Sequence, residues 1–359
     1  MFLSNRIADE HSAAHIVYAS DNYFAEILGV SLVSLFENSK DMSEIYVYIL
    51  DDGIDEVNRL RIEEVCTIYG RHMPFWLKAR NIVDELNINV SVDRGSLVQY
   101  ARLFISRDLP RNISKVLYLD CDILVMQSIS ELWNLDMQGK TVAALRDAFS
   151  KYYRKNIDLD EDDIMFNSGV MLINLDNWKN RHIEEQILKV IIDKNGRIQQ
   201  GDQGALNAVL AKDVYCFDPK FNSVTIFYDF TYTEMLTYRK PQGFYPESKI
   251  NNAVNNPVLI HFTTSFLSKR PWVEGCKHKY CYLWKIYKEK TPWRNEALRK
   301  DNRAKWKLFG AKVFQLLPRS VAIGLAGILQ AYGRPALNNI LLKVNVKRKI
   351  KENGNVRNT

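Results

Sequence analysis

Two aspartates, Asp120 and Asp122, interrupt an apolar run that extends from residue 116 to residue 125. Such a run is typical of a buried strand, and carboxylates at its end are costly to bury unless a cation pairs with them. Mg²⁺ and Mn²⁺ bind one or two carboxylates and complete their coordination with phosphate oxygens. The spacing therefore indicates a metal site for a nucleotide-diphosphate substrate. The alternative is a strand that ends in a polar turn, with Asp122 capping backbone groups.

The elements that must position these aspartates alternate between strands and helices. The predicted strands are 15–19, 44–50, 74–78, 116–125, 141–145, 169–175 and 257–262, and the predicted helices are 23–37, 54–69, 97–107, 183–193 and 203–210. This order favours an α/β fold with a mostly parallel sheet, in which ligands bind at the carboxyl ends of strands. Five candidate residues lie at or just after predicted strand ends: Asp21, Asp120, Asp122, Asp147 and His261.

Several enzyme classes are disfavoured because their motifs are missing. The sequence has neither a G-x-G-x-x-G nor a P-loop motif, which disfavours a dinucleotide dehydrogenase and a P-loop kinase. A nucleotidyltransferase would carry a Gly-rich phosphate loop near the first strand, and this chain has none there. A haloacid-dehalogenase phosphatase would have a threonine where this chain has Leu124. A non-catalytic sugar-nucleotide binder stays open.

Composition narrows the class further. The five cysteines are scattered and form no C-x-x-C pair, so zinc and a disulfide framework are disfavoured and a reducing compartment is expected. Residues 294–359 hold 15 Lys/Arg and 3 Asp/Glu, whereas residues 1–293 hold 34 and 39. Because the main body is mildly acidic, we expect no nucleic-acid partner.

Six ordered sequence blocks resemble one enzyme family. They are Ala19-Ser20-Asp21-Asn22-Tyr23, Tyr100-Ala101-Arg102-Leu103, Tyr118-Leu119-Asp120-Cys121-Asp122, residues 166–175, residues 202–207, and His261 followed by Arg270-Pro271-Trp272. In this order the chain resembles the family 8 glycosyltransferases, retaining GT-A enzymes that include bacterial lipopolysaccharide galactosyl- and glucosyltransferases. The resemblance covers residues 14–290 and implies a GT-A catalytic domain there, a Rossmann-like mixed sheet flanked by helices.

The resemblance also implies a ligand set for the donor. Asp120, Asp122 and His261 would hold Mn²⁺, or Mg²⁺, against the diphosphate of a UDP-hexose, either UDP-galactose or UDP-glucose. Arg102 matches an arginine near the diphosphate and the donor sugar. The remaining matched donor contacts are Ala19, Asp21, Asn22, Tyr23 and Cys121.

The same resemblance assigns the residues at the reacting carbon. Gln203 matches the residue that faces the anomeric carbon from the side opposite the leaving group, and Asn167 and Asp202 match donor-sugar contacts. Asp147 matches an acidic residue close to sugar and acceptor. Because an amide is a poor nucleophile, we favour front-face substitution over a double displacement through Asp202 or Asp147.

One block departs from the family pattern. Many members carry a glycine and then Lys-Pro-Trp after the histidine. This chain has no glycine between His261 and the segment Lys269-Arg270-Pro271-Trp272. An arginine can also bind a phosphate. Whether Lys269 or Arg270 contacts the diphosphate stays open.

The C-terminal region, 291–359, is predicted to be a helical, basic appendage. Residues 304–317 form an amphipathic pattern with Trp306, Phe309, Val313 and Leu317 on one face, residues 320–332 are apolar but too short to span a bilayer, and residues 343–351 are basic. Such patterns are typical of interfacial membrane binding, and the alternative is a helical appendage packed on the catalytic domain.

The location and the acceptor follow from these features. No signal peptide or spanning helix is expected, so we predict a cytoplasmic enzyme attached to the inner face of a bacterial membrane. The expected acceptor is a glycan or glycolipid, such as lipopolysaccharide core or a capsular oligosaccharide.

Overall fold

A computed structural model describes residues 13–90 and 96–341 of the 359-residue chain. Its strands are β1 (Ala14–Asp21), β2 (Ile45–Asp52), β3 (Phe75–Lys78), β4 (Lys115–Leu119), β5 (Ile123–Val125), β6 (Val142–Arg146), β7 (Phe166–Asn174), β8 (Val214–Cys216), β9 (Ser223–Val224) and β10 (Leu259–His261). Its α-helices are α1 (Ala25–Asn38), α2 (Glu56–Ile68), α3 (Ile82–Leu86), α4 (Ile105–Asp108), α5 (Ser130–Trp133), α6 (Lys151–Arg154), α7 (Leu175–Asn180), α8 (Ile183–Asp193), α9 (Gly201–Leu210), α10 (Ile226–Asp229), α11 (Tyr232–Arg239), α12 (Glu247–Asn255), α13 (Cys281–Glu289), α14 (Lys305–Leu316) and α15 (Arg319–Ile328). Shorter helical turns are 3₁₀ helices at Asn22–Phe24, Leu97–Phe104, Lys155–Ile157 and Pro219–Asn222, and a π-helix at Leu329–Gly333.

The strands form a central mixed sheet and a smaller second sheet. The central sheet has the order β3-β2-β1-β4-β7-β6-β8, and β7 runs antiparallel to its neighbours β4 and β6. The other neighbouring pairs in this sheet are parallel. The second sheet has the order β5-β10-β9. Helices flank the central sheet, so the predicted α/β class is confirmed.

Both faces of the central sheet are buried, which explains the near-continuous apolar character of its strands. In β1, Ile16 and Tyr18 point into the core beneath α1, whereas Val17 and Ala19 point into the core on the opposite face. The sheet is therefore packed between two hydrophobic cores, one on each face.

The run predicted as one strand over 116–125 is two strands in two sheets. β4 pairs with β7 in the central sheet, and β5 pairs antiparallel with β10 in the second sheet. The intervening turn is held by backbone bonds from Asp120 N to Gly169 O (2.8 Å) and from Phe262 N to Asp122 O (3.0 Å). The two aspartates therefore lie where the chain crosses from one sheet to the other.

Residues 97–107 also differ from the single predicted helix. They form the 3₁₀ helix Leu97–Phe104 followed by the short helix α4. The 3₁₀ helix buries five consecutive residues, Tyr100 to Phe104, because it lies beneath the end of the central sheet. Arg102 is thereby carried into the interior.

The segment after α13 packs against the body of the protein. Trp293 is buried against α1 at Gly29, where the Cβ of any other residue would lie only 2.4 Å from the indole ring. Further along, α15 packs on α11. Within the two described ranges, no helix combines the length and apolar character that a membrane span requires.

Candidate active site

Asp120, Asp122 and His261 meet at the crossing between the two sheets. β10 pairs antiparallel with β5, which sets His261 opposite Ile123 and beside both aspartates. His261 Nε2 lies 3.2 Å from Asp122 Oδ1 and 3.6 Å from Asp120 Oδ2. The three side chains can present ligand atoms that all lie within 4.8 Å of one another. The predicted approach of His261 to the aspartate pair is confirmed.

A chain of hydrogen bonds fixes which nitrogen of His261 carries the proton. The backbone N–H of Gly169 donates to Asn167 Oδ1 (3.1 Å), which marks that atom as an acceptor. Asn222 Nδ2 donates to the same oxygen (2.9 Å), so Asn222 Oδ1 faces His261 Nδ1 at 3.0 Å. His261 Nδ1 must therefore be a donor, which leaves Nε2 directed at the carboxylates and, in the neutral ring, able to offer its lone pair to a metal.

This geometry fits a divalent metal. His261 Nε2 is buried and has no hydrogen-bond partner among the described residues. A lone pair that faces two carboxylate oxygens is unfavourable unless a cation lies between them. Gly169 provides the space that these side chains need, because a Cβ there would lie 2.2 Å from His261 Cε1 and 2.7 Å from Asp120 Oδ2. Two carboxylates and one imidazole suit Mn²⁺ better than Mg²⁺.

Arg102 connects the metal-ligand candidates to the α9 turn. Its guanidinium binds Asp120 Oδ1 (2.7 Å), Ser168 O (2.8 Å) and Asp202 Oδ2 (3.2 Å). It also stacks 4.3 Å above the Tyr118 ring. Burial opposes the charged guanidinium, but Asp120 and the other acidic neighbours outweigh it and raise the pKa of Arg102 above its ordinary value. Arg102 is therefore a buried, permanently charged residue of this site.

The Gln203 amide is held in one orientation. Its Oε1 accepts from Ser168 N (3.3 Å) and from Asn167 Nδ2 (3.5 Å). Its Nε2 donates to Gln200 Oε1 (3.0 Å) and lies 3.4 Å from Asp147 Oδ2. Gln203 lies in the first turn of α9, three residues after Gln200, whose backbone is in the left-handed region.

These side chains line a small polar cavity of about 30 Å³. Its lining residues are Gln99, Arg102, Asp120, Asn167, Ser168, Gly169, Gln200, Asp202, Gln203 and His261. Six of the predicted site residues therefore converge on one polar cavity at the sheet edge.

The donor contacts predicted in residues 19–23 fall into two groups in the structure. Ala19 lies next to the aspartate pair, because its carbonyl accepts from the Cys121 thiol (3.3 Å). Burial raises the pKa of that thiol, so Cys121 is not a thiolate nucleophile. Asp21 caps the following 3₁₀ helix by accepting from Phe24 N (3.0 Å).

Asn22 and Tyr23 point away from the aspartate pair. Asn22 binds Asp55 (2.7 Å) and Asn58 (2.8 Å) at the start of α2. Tyr23 is 60% exposed, and Arg299 lies 4.0 Å above its ring. Both residues line a second cavity of about 650 Å³. Neither residue is among those that line the cavity at Asp120.

The structure distinguishes Lys269 from Arg270. Arg270 approaches Asp122 Oδ2 at 3.4 Å and donates to Thr264 Oγ1 at 2.8 Å. Lys269 instead binds the carbonyl of Glu274 (2.9 Å) and Asp301 (3.3 Å). Of these two residues, Arg270 is therefore the one that lies next to the aspartate pair.

Asn222 is a site residue that the sequence patterns did not indicate. It ends the 3₁₀ helix Pro219–Asn222, just before β9, and β9 pairs with β10 so that Val224 lies beside His261. The side chain is fully buried. No periodic pattern marks it, because its role depends on a two-residue strand.

Comparison with known proteins agrees with this geometry. The chain belongs to glycosyl transferase family 8, whose family model matches residues 15–276. A putative glycosyltransferase of Haemophilus influenzae is 30% identical over 274 residues, covering 75% of this chain and 76% of that protein. A lipopolysaccharide 1,2-glucosyltransferase of Escherichia coli is 25% identical over 299 residues, covering 79% and 80%.

A solved structure supports the fold. The galactosyltransferase LgtC, in complex with donor and acceptor sugar analogues, aligns with a TM-score of 0.65 at 24% identity. The alignment covers 78% of this chain and 99% of that one. The protein is therefore a glycosyltransferase with a GT-A fold, and its helical C-terminal segment follows that fold.

Proposed function

We propose that this enzyme transfers a hexose from a UDP-sugar to a hydroxyl group of a glycan or glycolipid, with retention of configuration. Asp120, Asp122 and His261 would hold Mn²⁺, or Mg²⁺, against the diphosphate. The observation that carries the proposal is the convergence of the buried His261 Nε2 with carboxylate oxygens of Asp120 and Asp122, whose ligand atoms all lie within 4.8 Å of one another. When bound, the metal supplies Lewis-acid stabilisation of the charge on the departing UDP.

The proposed donor and acceptor classes have separate support. Family membership favours a nucleotide-sugar donor, and we propose UDP-galactose or UDP-glucose. A lipopolysaccharide 1,2-glucosyltransferase among the relatives favours lipopolysaccharide core or a capsular oligosaccharide as the acceptor. Arg270 lies beside Asp122, so we assign the diphosphate contact to Arg270 and not to Lys269.

Retention by front-face substitution is supported by the groups near the proposed sugar position. Gln203 is an amide whose oxygen accepts from Ser168 N–H, so it can stabilise positive charge but is a weak nucleophile. Asp202 is paired with Arg102, which lowers its nucleophilicity. We therefore propose that the β-phosphate of UDP accepts the proton of the acceptor hydroxyl. Trapping a glycosyl adduct on Asp202 or Asp147 by mass spectrometry would overturn this mechanism.

Transfer of a labelled hexose, followed by NMR of the product anomer, tests the reaction. Each UDP-sugar is incubated with Mn²⁺, with Mg²⁺ and with chelator, and UDP release is measured against an Asp122→Ala control. We expect metal-dependent UDP release that the control lacks. UDP binding without turnover would indicate a non-catalytic binder, and loss of both would reject the proposal. Pyrophosphate release instead of UDP release would indicate a nucleotidyltransferase.

We also propose that residues 14–290 form the catalytic domain and that residues 291–359 attach it to the inner face of the bacterial membrane. Exposed apolar side chains on α14, α15 and the π-helix support this: Phe309, Leu316, Leu325, Ile328 and Leu329. The predicted membrane face also included Trp306, whose side chain lies outside the described set, and the basic run 343–351, which lies outside the described residues.

Co-sedimentation of the full-length chain with anionic vesicles tests the attachment. We expect Phe309→Glu and Leu316→Glu to weaken sedimentation, because each would place a charge against acyl chains. Leu60→Glu is the matched control, since Leu60 is an exposed leucine of α2. Equal sedimentation of all three variants would contradict the proposal.

A further inference from the structure

A group of cations beside Asp147 has no carboxylate partner among the described residues. Arg239 lies over the rings of Phe149 (5.4 Å) and Tyr238 (5.5 Å), and its Nε is buried without a hydrogen-bond partner. Arg146 Nε is likewise buried and unpartnered. Neither guanidinium forms an ion pair with a described residue. A guanidinium group without a counter-charge is unfavourable when it is partly buried, so these two groups favour an anion at the adjoining surface.

Neighbouring cations behave differently. Lys151 and Lys155 pair with Glu161, at 2.7 and 3.1 Å. Arg319 pairs with Glu234 at 2.7 Å. The nearby acids Asp162 and Asp163 bind Gln242 Nε2 (3.1 Å) and Lys212 Nζ (3.7 Å). Arg146 and Arg239 therefore differ from Lys151, Lys155 and Arg319, whose charges are compensated.

Two exposed tyrosines flank these cations. The Tyr152 and Tyr332 rings lie 5.0 Å apart, and the two residues are 38% and 41% exposed. Lys240 Nζ lies 5.9 Å from the Tyr332 ring, and exposed Arg334 follows two residues later. Exposed tyrosine faces offer a rigid apolar platform with a polar edge, which suits a sugar ring.

This surface is tied to the candidate active site. Phe149 N donates to Asp147 O (2.9 Å), and Asp147 Oδ2 lies 3.4 Å from Gln203 Nε2. The segment that carries Tyr332 is fixed by bonds from Ser150 Oγ to Ala331 O (2.7 Å) and from Tyr153 OH to Gln330 O (2.9 Å). The segment that carries Tyr152 therefore begins at Asp147, and the segment that carries Tyr332 is bonded to it.

We propose that Arg146, Arg239, Lys240, Arg334, Tyr152 and Tyr332 form an acceptor surface for a glycan that carries a phosphate or carboxylate group. The assignment rests on the proposed transfer reaction, because it makes this surface the side from which the acceptor approaches. Guanidinium groups bind phosphate and carboxylate through paired, charge-assisted hydrogen bonds. A neutral acceptor would leave the two guanidinium groups without a counter-charge.

Binding of glucose 6-phosphate, glucuronate and glucose to the full-length chain tests this surface by titration calorimetry. We expect both anionic sugars to bind at least about 10-fold more tightly than glucose, a difference of about 1.4 kcal/mol. Arg239→Met, which keeps the apolar stem over Phe149, should abolish the difference. Arg319→Met, which breaks a compensated pair, should preserve it. Equal binding of the three sugars, or an unchanged preference in Arg239→Met, would overturn the proposal.

Two further measurements distinguish the acceptor surface from a donor-site contact and from a binding site for lipid headgroups. UDP with Mn²⁺ is added to each titration: displacement of the anionic sugars would place them at the donor site and overturn the acceptor surface. Failure of UDP to bind at all, with the sugar preference intact, would instead reject the proposed function and leave an anion site. If Arg239→Met weakens binding to anionic vesicles but not to the sugars, the cations bind lipid headgroups, and the proposal fails.

Discussion

Two regions of the molecule place side chains in opposite kinds of unfavourable environment. One is the sheet edge that holds Asp120, Asp122 and His261, and the other is the C-terminal segment from α14 to residue 341. At the sheet edge, polar groups are buried and one imidazole nitrogen lacks a partner among the described residues. In the C-terminal segment, apolar side chains such as Leu316 and Leu329 face solvent. Both arrangements are unfavourable in isolation. Each motivates one of the proposals above: a cation at the edge, and a membrane surface at the segment.

Asp122→Asn should have the largest effect, because it removes one of the two carboxylate charges that would hold the metal. We expect kcat/KM for metal-dependent transfer to fall about 10³-fold, or about 4 kcal/mol of transition-state stabilisation. UDP release at saturating Mn²⁺ measures it. Glu161→Gln, a carboxylate change in an exposed ion pair, is the control. A loss smaller than about 10-fold would show that the edge works without a metal at this residue.

His278 lies between the two regions and should produce a pH-dependent loss of stability. It packs against Tyr228 (4.6 Å) and Phe262 (4.9 Å), and burial lowers its pKa to about 4 from the ordinary 6.5. The unfolded chain therefore binds the proton more readily than the folded one. Stabilisation by neutral His278 is complete above pH 6.5 and is lost as the pH falls toward 4, on the order of 3 kcal/mol.

Urea unfolding at about pH 7 and about pH 4.5, on either side of the ordinary histidine pKa, measures this contribution. His278→Phe keeps an aromatic ring in the packing and should reduce the pH dependence of the unfolding free energy. His72→Phe is the control, because His72 is an exposed histidine. Wild-type pH dependence in His278→Phe would contradict the assignment.

The two regions also differ in how far their sequences predict them. Asp120 and His261 could be placed together because each ends an apolar run, and strand ends converge in an α/β sheet. Asn222 could not, since its position depends on the pairing of the two-residue strand β9 with β10. The direction of the Asn22 side chain was equally hidden, because its partners at the start of α2 lie 33 and 36 residues away.

In the C-terminal segment, helix positions were predictable and their contacts were not. The amphipathic pattern 304–317 corresponds closely to α14. Asn156, however, binds Pro335 O and Asn339 across 179 and 183 residues of sequence. Local periodicity carries no information about such contacts, because they arise from the arrangement of complete elements.

Asn222→Leu sharpens the assignment of the sheet edge. Without an acceptor for Nδ1–H, His261 is free to change tautomer and orientation, and we expect Mn²⁺ affinity to fall roughly 10- to 100-fold, as for other outer-shell partners. Electron paramagnetic resonance of free Mn²⁺ measures the affinity. Asn222→Asp keeps an acceptor and should restore part of it. Asn38→Leu removes a hydrogen-bonded amide elsewhere and serves as control. An unchanged affinity in Asn222→Leu would mean that the hydrogen-bond chain does not orient the ligand.

Asn156→Ala should have the smallest effect and addresses the C-terminal segment. Asn156 donates to Pro335 O (2.9 Å) and accepts from Asn339 Nδ2 (2.8 Å), and it also donates to Gln199, which precedes the Gln203 turn. Losing these bonds should cost about 1–2 kcal/mol, because buried partners are left unpaired.

Amide hydrogen exchange distinguishes a local effect of Asn156→Ala from a global one. We expect faster exchange at residues 330–341 and 199–203, with unchanged protection in β4 and β10. Asn251→Ala, an exposed asparagine of α12, should change neither. If β4 loses protection together with residues 330–341, the segment and the sheet edge form one cooperative unit. If only the first set changes, the segment can open locally while the proposed metal site stays assembled.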